Sequence, residues 1–325
     1  MAPADTAPLP TQVLADSRES ASSFLLRVMA ANRITPWQLY SAAGRPRPRN
    51  LHDEDIRALS HATQTPAQWF EWRVSQTTRI DGELHVRLFG QVWRPGRMLR
   101  RIRQQVCPAC LREHGLARWE WDLTAFCACP EHGVLLQDHC DHCHQSLGAN
   151  RPSLDVCRCR HYLSHRHTTL ALADPQLVNW CDWISRRLQL ERSAPALPSG
   201  MASLFAGLSI DAATRVVAAF AGGARHIETG KLNSTQPWLT TSVVASVMSQ
   251  GLQELASFAQ AGSARCELSS QGIADLEDLV VSGLSAADRA TAAWLLGRVR
   301  GRRRLRVRAV MAMAQQGDLF EEAPR

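Results

Sequence analysis

The feature that most constrains this chain is a cluster of cysteines in its middle third. Eight of the ten cysteines lie between residues 107 and 159. Two spacings stand out in this stretch, a C-x2-C-x18-C-x2-H pattern and a C-x2-C followed by C-x-C. A C-x2-C turn presents two thiolates to one tetrahedral zinc ion. The pattern therefore predicts a double zinc module with the ligands Cys107, Cys110, Cys129, His132, Cys140, Cys143, Cys157 and Cys159.

Eight ligands for two zinc ions leave no open coordination position, which is typical of structural sites and not of catalytic ones. The assignment within the cluster leaves alternatives. Cys127 lies two residues before Cys129, and His139, His142 and His144 surround the second C-x2-C pair. We favour Cys129 because it pairs with His132 at the usual spacing, and we expect Cys181 and Cys266 to be core residues.

Charge and hydropathy indicate nucleic acid as the partner class. The net charge is +7, and arginine supplies nearly all of the positive charge because Lys231 is the only lysine. Arginine offers a planar fork of donors that suits phosphate. No apolar stretch approaches the roughly 20 residues of a membrane span, and no signal peptide is visible at the start. We therefore expect a cytoplasmic protein without a membrane partner.

Helical periodicity dominates outside the cysteine-rich region. Thr35-Pro36 and Thr65-Pro66 each begin a predicted helix, with Thr at the N-cap, Pro at N1 and Gln at N3. An alternating segment after Asp81-Gly82 predicts a hairpin. Further helices are expected from Asp174 onward, near 200–221, 240–260, 272–283 and 285–300, the last of them capped by Ser285 with Asp288 three residues on. The predicted fold is mostly α with a small β-containing double zinc module between helical, helix-turn-helix-like regions. The predicted divisions are 1–16 (disordered start), 17–93 (helices plus hairpin), 94–165 (zinc module), 166–310 (helical domain) and 311–325 (flexible tail).

Two arginine clusters are candidates for contacts with DNA phosphates. The first has the spacing of a helix and comprises Arg94, Arg97, Arg100, Arg101 and Arg103; the second comprises Arg298, Arg300, Arg302, Arg303, Arg304, Arg306 and Arg308. A solvated charged face, or contact with an acidic protein, is the alternative interpretation. The predicted helix pair at 53–73 has helix-turn-helix spacing, but its second helix carries Trp69, Phe70 and Trp72, which favour packing over base recognition.

Motifs of enzymes are weak or absent. His52-Asp53-Glu54 has the H-x-E order of zinc deaminases, but it lies in the N-terminal helical region and the zinc shells are full. Gly230-Lys231 lacks the upstream glycine and the following Ser or Thr of a phosphate-binding loop. We therefore predict a non-catalytic protein.

A longer set of residues resembles the TniQ/TnsD family of transposon target-selection proteins. The set includes Cys107-Pro-x-Cys-Leu-x-Glu, Trp121, Cys129-Pro-x-His-Gly-x-Leu-Leu and Cys140-x2-Cys143. The opening Glu19-Ser20-x3-Phe-Leu-x-Arg-x4-Asn32 is similar as well, so the resemblance covers about residues 17–160. In this chain Cys127 and the C-x-C ending depart from the pattern.

The resemblance implies a non-catalytic adaptor that binds target DNA, or a DNA-bound guide complex such as a CRISPR complex, and recruits an AAA+ transposition ATPase of the TnsC/TniB kind. A zinc-containing transcriptional regulator is the alternative that the same basic, helical features allow. Sequence alone leaves open whether targeting is sequence-specific, RNA-guided or linked to replication.

The chain ends in a segment that resembles a clamp-binding peptide. Gln316, Asp318, Leu319 and Phe320 follow the Q-x-[S/D]-L-F pattern by which bacterial proteins dock on the replication sliding clamp. Such a peptide places Leu and Phe in an apolar pocket of its partner. The alternative is that both side chains pack against their own helical domain.

Overall fold

The computed structural model describes residues 7–42, 53–80, 82–94, 99–100, 103–148, 150–165, 168, 170–189, 197, 201–221, 240–261 and 268–299. About half of the chain is helical, and the sheets are small and antiparallel. This confirms the predicted fold class. The chain divides into two compact units, Met1–Ala173 and Asp174–Arg325. No described helix is long and apolar enough to cross a membrane.

The first unit begins with four helices: α1 (Ala21–Asn32), α2 (Pro36–Ala42), α3 (Asp53–Thr63) and α4 (Ala67–Arg73). The cap predicted for α2 is confirmed, because the Gln38 backbone N–H donates to the Thr35 hydroxyl and the Thr35 N–H donates to the Gln38 side chain. The matching prediction for α4 is wrong. Its N-cap is Pro66, and the Thr65 hydroxyl instead donates to the Thr63 carbonyl.

The aromatic side chains of α4 pack inside the first unit, as predicted. Trp69 and Phe70 contact Phe24 of α1, with ring centroids 4.9 and 5.9 Å apart. Trp72 packs on Trp119 at 4.5 Å. These rings join α1 and α4 to the chain that follows the first cysteine pair, so they are not available to read bases.

A three-stranded antiparallel sheet follows the helices, in the order β1 (Gln76–Ile80), β2 (Glu83–Leu88), β3 (Gln91–Trp93). The predicted hairpin is its first two strands, and the third strand was not predicted. Phe89 and Gly90 connect β2 to β3 with φ values of 55° and 67°. Two consecutive left-handed residues form the tight turn that suits the twist of a hairpin.

The cysteine-rich region has little regular structure. It contains α5 (Pro108–His114), a 3₁₀ helix (Trp119–Asp122) and a two-residue hairpin of β4 (Ala128–Cys129) and β5 (Val134–Leu135). Because so few backbone groups are paired in long ladders, this region depends on side-chain contacts and on whatever binds the cysteines.

The opening of the chain docks beside this region. The Ser20 N–H donates to the Ala117 carbonyl at 2.9 Å, and the Trp119 N–H donates to the Arg18 carbonyl at 3.1 Å. The Ser23 hydroxyl accepts from the Ala117 N–H and donates to the buried Glu19 carboxylate. The conspicuous residues of the sequence opening therefore fix α1 to the segment that follows α5.

The second unit is helical in its described part: α6 (Pro175–Leu188), α7 (Met201–Phe205), α8 (Ile210–Phe220), α9 (Thr241–Ala261), α10 (Ser270–Ser282) and α11 (Ala286–Arg298). The start of α6 at Asp174-Pro175 and the Ser285–Asp288 capping box of α11 confirm two sequence predictions. The single helix expected near 200–221 is two helices. Asp288 accepts hydrogen bonds from the N–H and hydroxyl of Ser209, which caps α8 and breaks the continuity.

Helix α8 is the centre of the second unit, and two glycines let its neighbours approach it closely. A Cβ at Gly251 of α9 would lie 2.1 Å from the Val217 carbonyl oxygen, and one at Gly272 of α10 would lie 2.3 Å from the Ala219 oxygen. Neither distance is compatible with any larger residue unless the helices separate.

We expect Gly251→Ala to destabilise the second unit by about 1–3 kcal/mol, since the added methyl group forces α8 and α9 apart. Gly297→Ala is the matched control, because a Cβ there meets nothing within 4 Å. That control should stabilise helix α11 by about 0.5–1 kcal/mol. Thermal unfolding followed by circular dichroism measures both, and a Gly251→Ala protein that melts at the wild-type temperature would contradict the close packing.

Candidate metal centres

The first centre is built from a short helix and a hairpin. Cys107 is the N-cap of α5, and Cys110 lies in the first turn of that helix. Cys129 ends β4, and His132 lies in the turn to β5, which Gly133 completes at a φ of 63°. The four potential ligand atoms all lie within 4.8 Å of one another, and the three cysteines are buried.

The distances in this first cluster match a tetrahedral zinc site. The Cys110 and Cys129 sulfurs are 3.5 Å apart, and His132 Nδ1 is 3.3, 3.5 and 3.6 Å from the sulfurs of Cys110, Cys129 and Cys107. Ligands at the usual zinc–sulfur and zinc–nitrogen bond lengths are separated by about 3.6–3.8 Å along the edges of a tetrahedron. The observed edges agree with this geometry to about 0.3 Å.

The electrostatics of this cluster favour a bound cation. Hydrogen bonds from the Cys110 and Cys129 thiols, with backbone N–H groups of Cys110 and Ala109, lower the pKa of Cys107 to about 3. The same contacts with the Cys107 and Cys129 sulfurs, together with burial, raise the pKa of Cys110. The Cys107 thiol therefore ionises easily, and its contacts make ionisation of the Cys110 thiol less favourable. A metal ion replaces the remaining protons and allows all three cysteines to ionise.

The second cluster comprises Cys140, Cys143, Cys157 and Cys159, whose sulfurs also lie within 4.8 Å of one another. The Cys140 and Cys159 sulfurs are 3.8 Å apart, and those of Cys143 and Cys157 are 3.7 Å apart. Burial raises the pKa of Cys140 to about 12, although the backbone N–H groups of Cys143 and His142 act in the opposite direction. Four thiols at these separations suit a Cys₄ zinc site.

Both turns of the second cluster end in a left-handed residue. His144 follows Cys143 with a φ of 58°, and Arg160 follows Cys159 with a φ of 70°. The His144 N–H donates to the Cys140 carbonyl and the Arg160 N–H donates to the Cys157 carbonyl, each at 2.9 Å. These bonds curl each turn back on itself, which brings its two sulfurs to one side.

The remaining cysteines are placed as follows. Cys127 is buried, and it belongs to none of the clusters that the described residues form. Its sulfur lies 3.8 Å from the Ala125 carbonyl. Cys181 is buried in α6. Cys266 lies outside the described residues.

Of the first arginine cluster, the structure describes Arg94, Arg100 and Arg103. The described residues between Trp93 and Pro108 form no helix. Arg100 pairs with Asp138 at 3.2 Å, and its side chain is only 5% exposed. It therefore does not project toward a phosphate backbone, and its charge is directed instead at a buried carboxylate. Arg94 and Arg103 are partly exposed, whereas Arg97 and Arg101 lie outside the described residues.

Of the second arginine cluster, the structure describes Arg298 alone. It is exposed in the last turn of α11, with its guanidinium 4.3 Å from the centre of the Trp294 ring. The residues Arg300, Arg302, Arg303, Arg304, Arg306 and Arg308 lie outside the described residues, as do Gln316, Asp318, Leu319 and Phe320.

Sequence reasoning assigned no role to the charged residues around the first cluster. Glu131 pairs with His114 at 2.7 Å and with Arg118 at 3.6 Å, while Glu113 lies 3.0 Å from His132. Glu113 is the glutamate of the quoted Cys-Leu-x-Glu motif, which was the available signal. Arg118 and His114 carried no signal in the sequence.

Comparison with known protein families identifies the first unit. The TniQ family model matches residues 10–136, which span α1 to α5 and the whole first cluster. This stretch is a TniQ domain. No curated protein matches the chain. The TniQ domain makes it a transposition-associated protein, and its two cysteine and histidine clusters can each hold a metal ion.

The clusters predict which cysteines a metal requires. We expect Cys129→Ser to lower the metal content by one ion per chain, because it removes a ligand from the first cluster. Cys127→Ala, two residues away, should keep both ions. Elemental analysis of the purified variants measures the content. If only the Cys127 variant lost an ion, Cys127 and not Cys129 would be the ligand of the first cluster.

The burial of the two clusters predicts an order of metal release. Cys159 is exposed, whereas the first cluster has three buried cysteines. We expect a chelator to remove one ion rapidly, and the second ion much more slowly together with loss of the fold. In a Cys159→Ser variant the rapid phase should be absent, as a colorimetric zinc indicator would show. Release of both ions at one rate would contradict this order.

Proposed function

We propose that this protein is a target-selection adaptor of a transposon. It binds target DNA, or a guide complex already on DNA, and recruits an AAA+ ATPase that brings in the integrase. The observation that carries this proposal is the TniQ domain at residues 10–136. Target selection and ATPase recruitment are the roles that the family resemblance implies for such a domain. We propose the cytoplasm as its location.

Zinc has a structural role in this proposal. The first ion would be held by Cys107, Cys110, Cys129 and His132, and the second by Cys140, Cys143, Cys157 and Cys159. Their edge lengths near 3.3–3.8 Å support zinc as the metal. Because four protein ligands complete each shell, neither ion would have a position for a substrate or a reactive water. The protein would accordingly act by binding and not by catalysis.

DNA contact is proposed for the arginines from Arg298 onward. Arg298 lies at the exposed C-terminal end of α11, and six further arginines follow within ten residues of the sequence. A chain that leaves a folded helix with this density of positive charge suits a phosphate backbone. Of the first cluster, Arg94 remains a candidate; the burial of Arg100 argues against that residue.

The arginine hypothesis is tested by replacing Arg302, Arg303 and Arg304 together with alanine. If each neutralises one phosphate of duplex DNA, the slope of log affinity against log salt should fall by about 2.7. The control replaces Arg57, Arg87 and Arg112, which are exposed in the first unit. Fluorescence anisotropy with labelled duplexes at several salt concentrations gives both slopes. Equal slopes for the two triple variants would show that Arg302, Arg303 and Arg304 do not contact DNA phosphates.

Recruitment of the ATPase is a separate test. We expect the purified protein to capture the AAA+ ATPase of its transposon, and capture should not require the arginine cluster. A transcriptional regulator, the alternative function, would instead bind its own promoter and would not bind that ATPase. Sedimentation of the two purified proteins, with and without DNA, decides between the two functions.

The tail residues Gln316, Asp318, Leu319 and Phe320 are proposed to bind the replication sliding clamp, which would direct insertion to replicating DNA. The full-length protein should bind immobilised clamp, and Leu319→Ala with Phe320→Ala should abolish this binding because both apolar anchors are lost. Replacement of Leu172, an exposed leucine of the first unit, by alanine is the control. Binding that survives the double substitution would exclude the tail as the docking peptide.

A further inference from the structure

Glu113 is the one residue of the quoted Cys-Pro-x-Cys-Leu-x-Glu motif that is acidic, and the proposed function gives it no role. It lies three residues after Cys110 in α5. Residues three apart share one face of a helix. Helix α5 therefore presents a candidate ligand and a carboxylate to the same neighbour, His132.

The His132 ring lies between these two groups. Its Nδ1 faces the sulfurs of Cys110, Cys129 and Cys107 at 3.3, 3.5 and 3.6 Å. Its Nε2 lies 3.0 Å from Glu113 Oε2, a hydrogen-bonding distance. The side chain of His132 is 17% exposed and that of Glu113 is 46% exposed, so this contact is partly shielded from water.

This arrangement selects one form of the imidazole. A neutral histidine carries its proton on either Nδ1 or Nε2, and only the unprotonated nitrogen can bind a metal. A carboxylate can accept a hydrogen bond but has no proton to donate when ionised. Glu113 thus favours the tautomer with the proton on Nε2, which leaves the Nδ1 lone pair directed at the three sulfurs.

We infer that Glu113 is a positioning residue that orients His132 and fixes its tautomer for metal binding at the first cluster. The inference rests on the proposed zinc role of that cluster. Carboxylates that accept from the second nitrogen of a metal-binding histidine contribute about 10- to 100-fold to metal affinity. Because Glu113 is half exposed, we expect an effect of about tenfold.

Glu131 provides a matched control on the same cluster. Its Oε2 lies 3.8 Å from the Cys110 sulfur, so it also places a negative charge beside the thiols. Its hydrogen bond goes to His114 at 2.7 Å and not to His132. A loss of affinity that depends on charge alone should appear in Glu131→Gln as well, whereas a loss through the His132 ring should not.

The experiment measures zinc affinity of the full chain by competition with a chromophoric chelator. Glu113→Ala should weaken binding of one of the two ions about tenfold. Glu113→Gln should weaken it less, because its amide oxygen still accepts a hydrogen bond. In a His132→Cys background the ligand has no tautomer to fix, so adding Glu113→Ala should change nothing further.

Three results would overturn the inference: wild-type affinity in Glu113→Ala, an equal loss in Glu131→Gln, or an equal loss from Glu113→Ala in the His132→Cys background. If the wild-type chain binds no zinc at the first cluster, the structural zinc proposal fails first, and the inference fails with it. The wild-type titration therefore separates the two failures.

Discussion

Three thiols and an imidazole within 4.8 Å of one another are the constraint on which the first unit depends. When these cysteines ionise, their negative charges repel one another. When they stay protonated, polar thiol groups are buried, which is also unfavourable. A bound cation removes both costs at once. The short helix α5 and the two-residue strands of the β4–β5 hairpin have few backbone bonds of their own, so the cluster holds them in register. The same logic applies to the second cluster, whose described turns are closed by single bridges, His139 with Ser146 and Val156 with Tyr162, and contain no helix.

The first cluster also determines where the opening of the chain can bind. Arg118 lies between Glu131, on the cluster side, and the buried Glu120. The backbone on either side of Arg118 holds α1 through Ala117 and Trp119. Arg73 of α4 completes the arrangement, since it donates to the Glu19 carbonyl and lies 4.2 Å from the centre of the Trp69 ring. The residues that resemble the TniQ opening and those of the cysteine motif are therefore two sides of one packed interface.

Sequence reasoning succeeded where a structure depends on neighbours close in the chain. Ligand spacing located both clusters, and the caps at Thr35 and Ser285 follow from residues three positions apart. Sequence reasoning failed where the position of a side chain, or the start of a helix, depends on a residue far away in the sequence. The sequence predicted that Arg100 contacts DNA phosphates, but in the structure it pairs with Asp138, 38 residues later in the chain. The helix expected near 200–221 is interrupted because Asp288, 79 residues from Ser209, helps to fix a new helix start. The Thr65 hydroxyl donates to the Thr63 carbonyl, a contact that the capping pattern does not predict.

The docking of α1 has a consequence for synthesis of the protein. The apolar residues of α1 leave the ribosome long before Ala117, their anchor, and before His132, the last ligand of the first cluster. At bacterial translation rates of about 5–20 residues per second, the interval from Ser20 to His132 is about 6–22 s. During that time α1 can pack on Trp69 and Phe70 of α4, but it lacks its contact with Ala117. The last step of folding in this unit therefore follows the synthesis of His132, and any metal ion that the first cluster holds can be fully coordinated only after that residue emerges.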